Sequence, residues 1–252
     1  MSGIASELMG LAARDAVEFS DLGADPLVAR RHDVKAVLDG SALPRLLERV
    51  PEDWQVVTAG SATVQPYHSI YFDTPDLRLF RDHRQGRLRR YKVRTRRYSD
   101  HTVMLEVKLK GPKGLTQKIR RIHGEHGSLA GTDLAWVSES LKSTIGHAAP
   151  EVLTPTAWTR YERTVLRAPD GTERLTIDRS LTTGSGDATD EDTHAVIVEL
   201  KSLATRSVLL PTLHAIGARP LRLSKYAVAV HRAHHAHANR WRPALRRLER
   251  AG

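Results

Sequence analysis

Between residues 88 and 123 the chain alternates polar and apolar side chains with a period of two, the signature of strands that bury one face. In Tyr91-Lys92-Val93-Arg94-Thr95-Arg96 the bases Lys92, Arg94 and Arg96 share a face. In the next segment Val103, Leu105, Val107 and Leu109 lie opposite Glu106 and Lys108. The same two-faced pattern recurs in Asp33-Val34-Lys35, Arg174-Leu175-Thr176-Ile177-Asp178 and Glu199-Leu200-Lys201. Five such segments predict an antiparallel sheet with one apolar and one charged face. An ordinary solvent face mixes Ser, Thr, Gln and sparse charges, and neighbouring like charges are destabilising unless an anion compensates them. The charged face is therefore read as a surface for a polyanion together with a divalent metal.

Around these strands the pattern predicts a short amphipathic helix over residues 4–19, a strand over 29–38, and a helix from Ser41 with Leu43, Leu46, Leu47 and Val50 on its buried stripe. A strand follows at 67–72, and the turn Asp73-Thr74-Pro75-Asp76 opens a helical turn through Arg81. Strands at 88–98 and 102–110 form a hairpin, the turn Gly111-Pro112-Lys113-Gly114 leads to a strand at 115–123, and a helix holds Trp136 and Leu141. The second half predicts a hairpin of 155–167 with 173–178, a polar loop at 183–192, a strand at 195–200, a helix at 205–216 divided at Pro211, and a helix at 225–237 capped by Ser224. No linker or short repeat divides the chain. Its organisation reads as a peripheral segment 1–28, one domain 29–238 and a basic tail 239–252 that extends a basic path, binds an anionic membrane or nucleic acid, or ends the chain as a charged terminus.

Charge narrows the class. A formal net charge of +10 over 252 residues implies an anionic partner. Aromatic residues make up only 5% and offer few stacking platforms, which argues against nucleic acid. Without cysteine there is neither a disulfide frame nor a thiol nucleophile, and no secretory leader or apolar run of about 20 residues is visible, so a cytoplasmic protein is expected. His231, His234, His235 and His237 lack an acid or cysteine to complete a zinc site and read as a solvated helix end. Gly184-Ser185-Gly186 has none of the context of a P-loop, and there is no Gly-x-Ser-x-Gly elbow.

Six segments in order carry a resemblance: His68-Ser69-Ile70-Tyr71-Phe72-Asp73-Thr74, Tyr91-Lys92-Val93-Arg94-Thr95-Arg96, Glu106-Val107-Lys108, Tyr161-Glu162-Arg163-Thr164, Val198-Glu199-Leu200-Lys201 and Ser224-Lys225-Tyr226. Together they resemble the VTC domain, the polyphosphate polymerase domain of the vacuolar transporter chaperone complex, which has bacterial relatives and falls within the triphosphate tunnel metalloenzymes. The resemblance runs from about Arg30 to His231.

It implies an α+β fold: a closed antiparallel β-barrel of about eight strands with a charged lumen and surrounding helices. The implied phosphate-binding residues are Lys35, Arg94, Arg96, Lys108, Lys118, Arg163, Arg174, Ser224 and Lys225, and the implied metal-binding glutamate is Glu199. Of these, Lys35, Arg94, Arg96, Lys108 and Glu199 are expected to carry the reaction. Glu106 and Asp178 are extra acids, either further ligands or partners of neighbouring bases. The superfamily opening Glu-x-Glu-x-Lys is here Arg31-His32-Asp33-Val34-Lys35, which keeps the lysine and loses the first acid. The implied cofactor is Mn2+ or Mg2+. The implied partners are a nucleoside triphosphate, polyphosphate or tripolyphosphate, with a membrane protein as a further possible partner. Three activities remain open: metal-dependent transfer of a γ-phosphoryl group to polyphosphate, hydrolysis of tripolyphosphate or a nucleotide, and polyanion binding without catalysis.

Overall fold

The alternating segments do form strands. A computed structural model describes residues 11, 13–22, 31–111, 116–188, 191–193 and 195–251. Its strands are β1 (Ala16–Glu18), β2 (His32–Leu38), β3 (Gln55–Thr58), β4 (Gln65–Asp73), β5 (Arg90–Arg97), β6 (Val103–Lys110), β7 (Thr116–Ile122), β8 (Thr154–Arg167), β9 (Glu173–Gly184), β10 (Glu191–Thr193) and β11 (Val196–Ser202). The helices are α1 (Leu43–Leu47), α2 (Arg78–Gln85), α3 (Gly131–Ile145), α4 (Leu210–Ala215), α5 (Lys225–His234) and α6 (Arg242–Arg250).

All eleven strands join one sheet, whose main path runs β2-β11-β9-β8-β4-β5-β6-β7. Neighbours along this path pair antiparallel, whereas the short β1 pairs with β3 in parallel. The expected closed barrel is not reached, because β2 and β7 end the path and do not pair with each other. Across the concave face the charge of Lys35 on β2, itself paired with Glu199, acts on Lys108 of β6, the strand beside β7.

Helices cover the convex face. Val93, Leu105, Val107 and Leu109 pack under Val137, Leu141 and Ile145 of α3. Ala36, Val198, Leu200, Leu175 and Ile177 pack under α1 and α4 through Leu43, Leu46 and Leu213. A third core lies inside: Val37, Ile197, Tyr71 and Tyr161, from the same faces as the charged residues, pack against α5 and α6. One part of the concave face is therefore plugged by two helices, and the remainder is left as a charged lumen.

Several local expectations change. Residues 16–18 are strand rather than helix, and residues 4–10 and 12 of the expected first helix lie outside the described residues, as does most of the turn 111–114. Asp39, not Ser41, caps the turn before α1, accepting from the Ser41 amide at 2.9 Å. Pro211 sits in the first turn of α4, where its missing N–H costs nothing, so the helix begins there instead of bending. The buried Asp73 carboxylate accepts from the amides of Thr74, Leu79 and Phe80 at 2.7, 2.8 and 2.9 Å and from the Tyr226 hydroxyl, tying the start of α2 to α5. His231 and His234 bond to the Ala236 and Thr156 carbonyls at 2.7 and 2.9 Å.

In place of a tail, residues 239–250 form a 3-10 turn and α6, with Trp241, Ala244, Leu245 and Leu248 in the inner core. No helix among the described residues is long and apolar enough to cross a membrane.

Candidate functional site

Directly opposed residues of paired strands share a face, so register decides which charges meet. Arg94 faces Glu106, Lys108 faces Lys118, Lys35 faces Glu199 and Arg163 faces Asp178. The result is three groups, each a carboxylate held by two cations. Glu106 accepts from Arg94 Nε at 2.7 Å, with Lys118 at 3.6 Å and the Tyr98 hydroxyl at 3.1 Å. Asp178 takes both prongs of Arg163 at 2.6 and 2.8 Å and also Lys225. Glu199 Oε1 meets Lys35 at 2.7 Å and Lys201 at 3.1 Å. Burial pushes each carboxyl up, but the adjoining cations outweigh it and hold all three well below the usual carboxylate range.

Three further lumen cations have no carboxylate within ion-pair distance among the described residues. Arg96, only 6% exposed, is held by neutral groups: Ser69 Oγ at 2.9 Å, Tyr161 Oη at 2.8 Å and the Tyr67 ring at 5.0 Å. Lys92 donates to Ser224 Oγ at 3.0 Å and lies 5.7 Å from the Tyr226 ring centre. Lys108 reaches into the lumen, in contact with solvent there while protein surrounds its other sides. A buried cation without a counter-ion is costly, and a bound anion removes that cost.

Tyrosines fix the arginines without neutralising them. Tyr67 and Tyr161 stack at 5.4 Å, and Arg163 lies 5.1 and 5.3 Å from their ring centres. Lys225 sits 4.5 Å from the Tyr161 ring centre. Tyr67, Tyr161, Lys92 and Lys201 were not among the residues implied by the resemblance. Strand parity alone places Lys92 and Lys201 beside Arg94 and Glu199.

The structure gathers Lys35, Arg94, Arg96, Lys108, Lys118, Arg163, Lys225, Ser224, Glu199, Glu106 and Asp178 around this lumen. Arg174 lies on β9 opposite Lys201, half-buried beside the group. Ser224 has two tasks: its oxygen accepts from the Ala227 amide at 3.3 Å to cap α5 and from Lys92.

The residues fit a divalent metal at one acid only. No group of three or more His, Cys, Asp or Glu side chains among the described residues is placed to share an ion. Glu106 and Asp178 have both oxygens engaged by their own partners. Both Glu199 ion pairs are to Oε1, so Oε2 is the carboxylate oxygen that would hold a divalent ion.

Burial and the ammonium of Lys35 push Lys108 down to about 8, and burial also brings Lys118 to about 8. These lysines bind fewer protons folded than unfolded from about pH 8 to about 10.4, so ligand-free stability rises with pH across that window, and the penalty of charging them is fully present below it. A polyanion relieves that penalty. Saturating tripolyphosphate is therefore expected to raise the melting temperature more at about pH 7 than at about pH 9.5, and an equal rise contradicts the lumen as its site.

Comparison with known proteins adds the following. No curated protein matches the sequence. A solved structure described as "Putative adenylyl cyclase HpAC1 from Hippeastrum reveals a dominant triphophatase activity" aligns with a TM-score of 0.42 and 16% identity, covering 80% of this chain and 95% of that one. The VTC domain family model matches residues 30–234, which takes in every lumen residue named above. The chain belongs to the VTC domain family.

Proposed function

We propose that the protein is a phosphotransferase that lays a nucleoside triphosphate in the lumen and passes its γ-phosphoryl group to a polyphosphate chain. The carrying observation is the set of counter-ion-free cations, Lys92, Arg96 and Lys108, flanked by three acid-centred groups that hold six more cations in place. A triphosphate carries about four negative charges, and phosphoryl transfer needs mainly positioning and charge stabilisation. Such a transfer asks for no side-chain nucleophile. Arg94, Arg163 and Lys225 are pre-oriented by their acids, so the lumen reorganises little when the ligand arrives. Glu199 would hold a Mn2+ or Mg2+ ion, which would neutralise charge that develops on the transferring phosphoryl group.

With water as acceptor the same arrangement hydrolyses triphosphate. Incubating the purified protein with ATP, Mn2+ and a short polyphosphate primer separates the readings. Chain growth supports transfer, free phosphate without growth assigns hydrolysis, and neither product leaves a binding protein. Glu199→Gln is expected to keep tripolyphosphate affinity within about threefold while losing metal-dependent turnover, since an amide is a poor ligand for a hard cation. Parental turnover in that variant would place the metal away from Glu199.

A further inference from the structure

Beyond Lys92 the inner face of β5 continues to Arg90, at the rim where α2 meets the helical plug. Arg90 Nη1 donates to the carbonyls of Gly86 and Arg87 at 3.1 and 2.6 Å, which fixes the guanidinium without offsetting its charge. From the 3-10 turn Asn239–Trp241, Arg240 reaches over the same glycine. Gly86 ends α2 with φ at 74°, a conformation that favours glycine, and the tip of Arg240 lies where a Cβ would sit. His83, its ring tilted 35° against Trp241 with centres 4.9 Å apart, presents an Nε2 that is buried and unpartnered. Burial, followed by the charges of Lys92, Arg90, Arg240 and Lys108, drives this imidazole far below its ordinary value and keeps it neutral. Burial and Arg240 push Arg90 down as well. No carboxylate among the described residues lies within ion-pair distance of Arg90 or Arg240. Like charges drawn together from β5 and the C-terminal segment, beside an unused imidazole nitrogen of α2, favour an anion there.

We propose that His83, Arg90 and Arg240 form an outer phosphate subsite at the rim of the lumen, adjoining Lys92. The proposal rests on the lumen being a triphosphate site, as argued above. It adds a part that Arg240 supplies from outside the residues matched by the family model. The occupant is a phosphoryl anion, either the next phosphate of a chain extending out of the lumen or a separate orthophosphate. His83 Nε2–H would donate to one of its oxygens while the two guanidinium groups meet its charge.

Calorimetric titrations of the full chain and its Arg240→Ala and Arg240→Lys variants, using tripolyphosphate, long-chain polyphosphate and orthophosphate added to tripolyphosphate-saturated protein, test this. If the occupant is a continuing chain, Arg240→Ala weakens long-chain binding about 5- to 10-fold and tripolyphosphate binding less than twofold, and Arg240→Lys recovers most of the loss. If it is a separate phosphate, Arg240→Ala abolishes orthophosphate binding to the saturated protein and leaves long-chain affinity alone. Tripolyphosphate binding by the parent, with long-chain and orthophosphate binding unchanged in Arg240→Ala, overturns the outer subsite only. Failure of the parent to bind tripolyphosphate overturns the lumen reading instead.

Discussion

Deleting residues 239–252 is expected to unfold the protein rather than trim it. The segment is strongly basic, yet Trp241, Ala244, Leu245 and Leu248 are 2%, 0%, 7% and 1% exposed and pack with Tyr226, Phe80 and Val230 inside the sheet. Truncating a buried Trp costs about 3–5 kcal/mol and a buried Leu about 2–5 kcal/mol, and removing all four residues consumes most of a typical domain stability of about 5–15 kcal/mol. The point variant Leu248→Ala gives a graded test: a loss of about 2–4 kcal/mol should lower the melting temperature by several degrees. A truncated protein that melts with the parent and binds tripolyphosphate equally would show that the segment is dispensable.

Arg94→Ala and Arg96→Ala should separate stability from binding, although both side chains project from β5 into the lumen. Arg94 balances Glu106, which is 1% exposed, so its loss leaves a buried carboxylate with only Lys118 at 3.6 Å and a tyrosine hydroxyl. Breaking a buried pair from one side costs about 3–5 kcal/mol, and the residual partners put this case near about 3. Adding Glu106→Gln to Arg94→Ala should recover much of that loss. Arg96 has no carboxylate within ion-pair distance among the described residues, and its charge reaches Glu106 only from beyond that distance, after that of Arg94. Its removal leaves two hydroxyls short of a partner but also removes an uncompensated cation, so stability should change by about 1 kcal/mol or less. Triphosphate affinity should fall about 10- to 100-fold, the effect of one charge-assisted contact. Thermal melts alongside tripolyphosphate titrations decide the matter, and equal destabilisation by the two substitutions would contradict the division of the cations.

The charged strands are legible because their period of two is unbroken from Lys92 to Arg96 and from Leu105 to Lys110, and because the convex face under α3 demands the alternation. Which base meets which acid was not, since it depends on register: Arg94 opposes Glu106 through the hairpin, but Lys225 reaches Asp178 from a helix 47 residues away. Closure of the sheet depends on whether its first and last strands, β2 and β7, pair in space, which strand patterns do not encode. The C-terminal helix carried a readable signal. Trp241, Ala244, Leu245 and Leu248 follow the i, i+3, i+4, i+7 spacing of a buried stripe, and the weight of five arginines hides it. Asp73 looked like a turn residue because its decisive partner, Tyr226, lies 153 positions on.

The central claim is that counter-ion-free cations in the lumen hold a triphosphate. Its most direct measurement is calorimetric titration of tripolyphosphate into the parent, Arg96→Ala, Lys108→Ala and, as a control on an exposed ion pair, Arg81→Ala, whose partner Asp76 lies on the surface. The account predicts saturable binding by the parent and Arg81→Ala, with losses of about 10-fold or more in Arg96→Ala and Lys108→Ala. Equal affinity across all four proteins, or no binding by the parent, would contradict it.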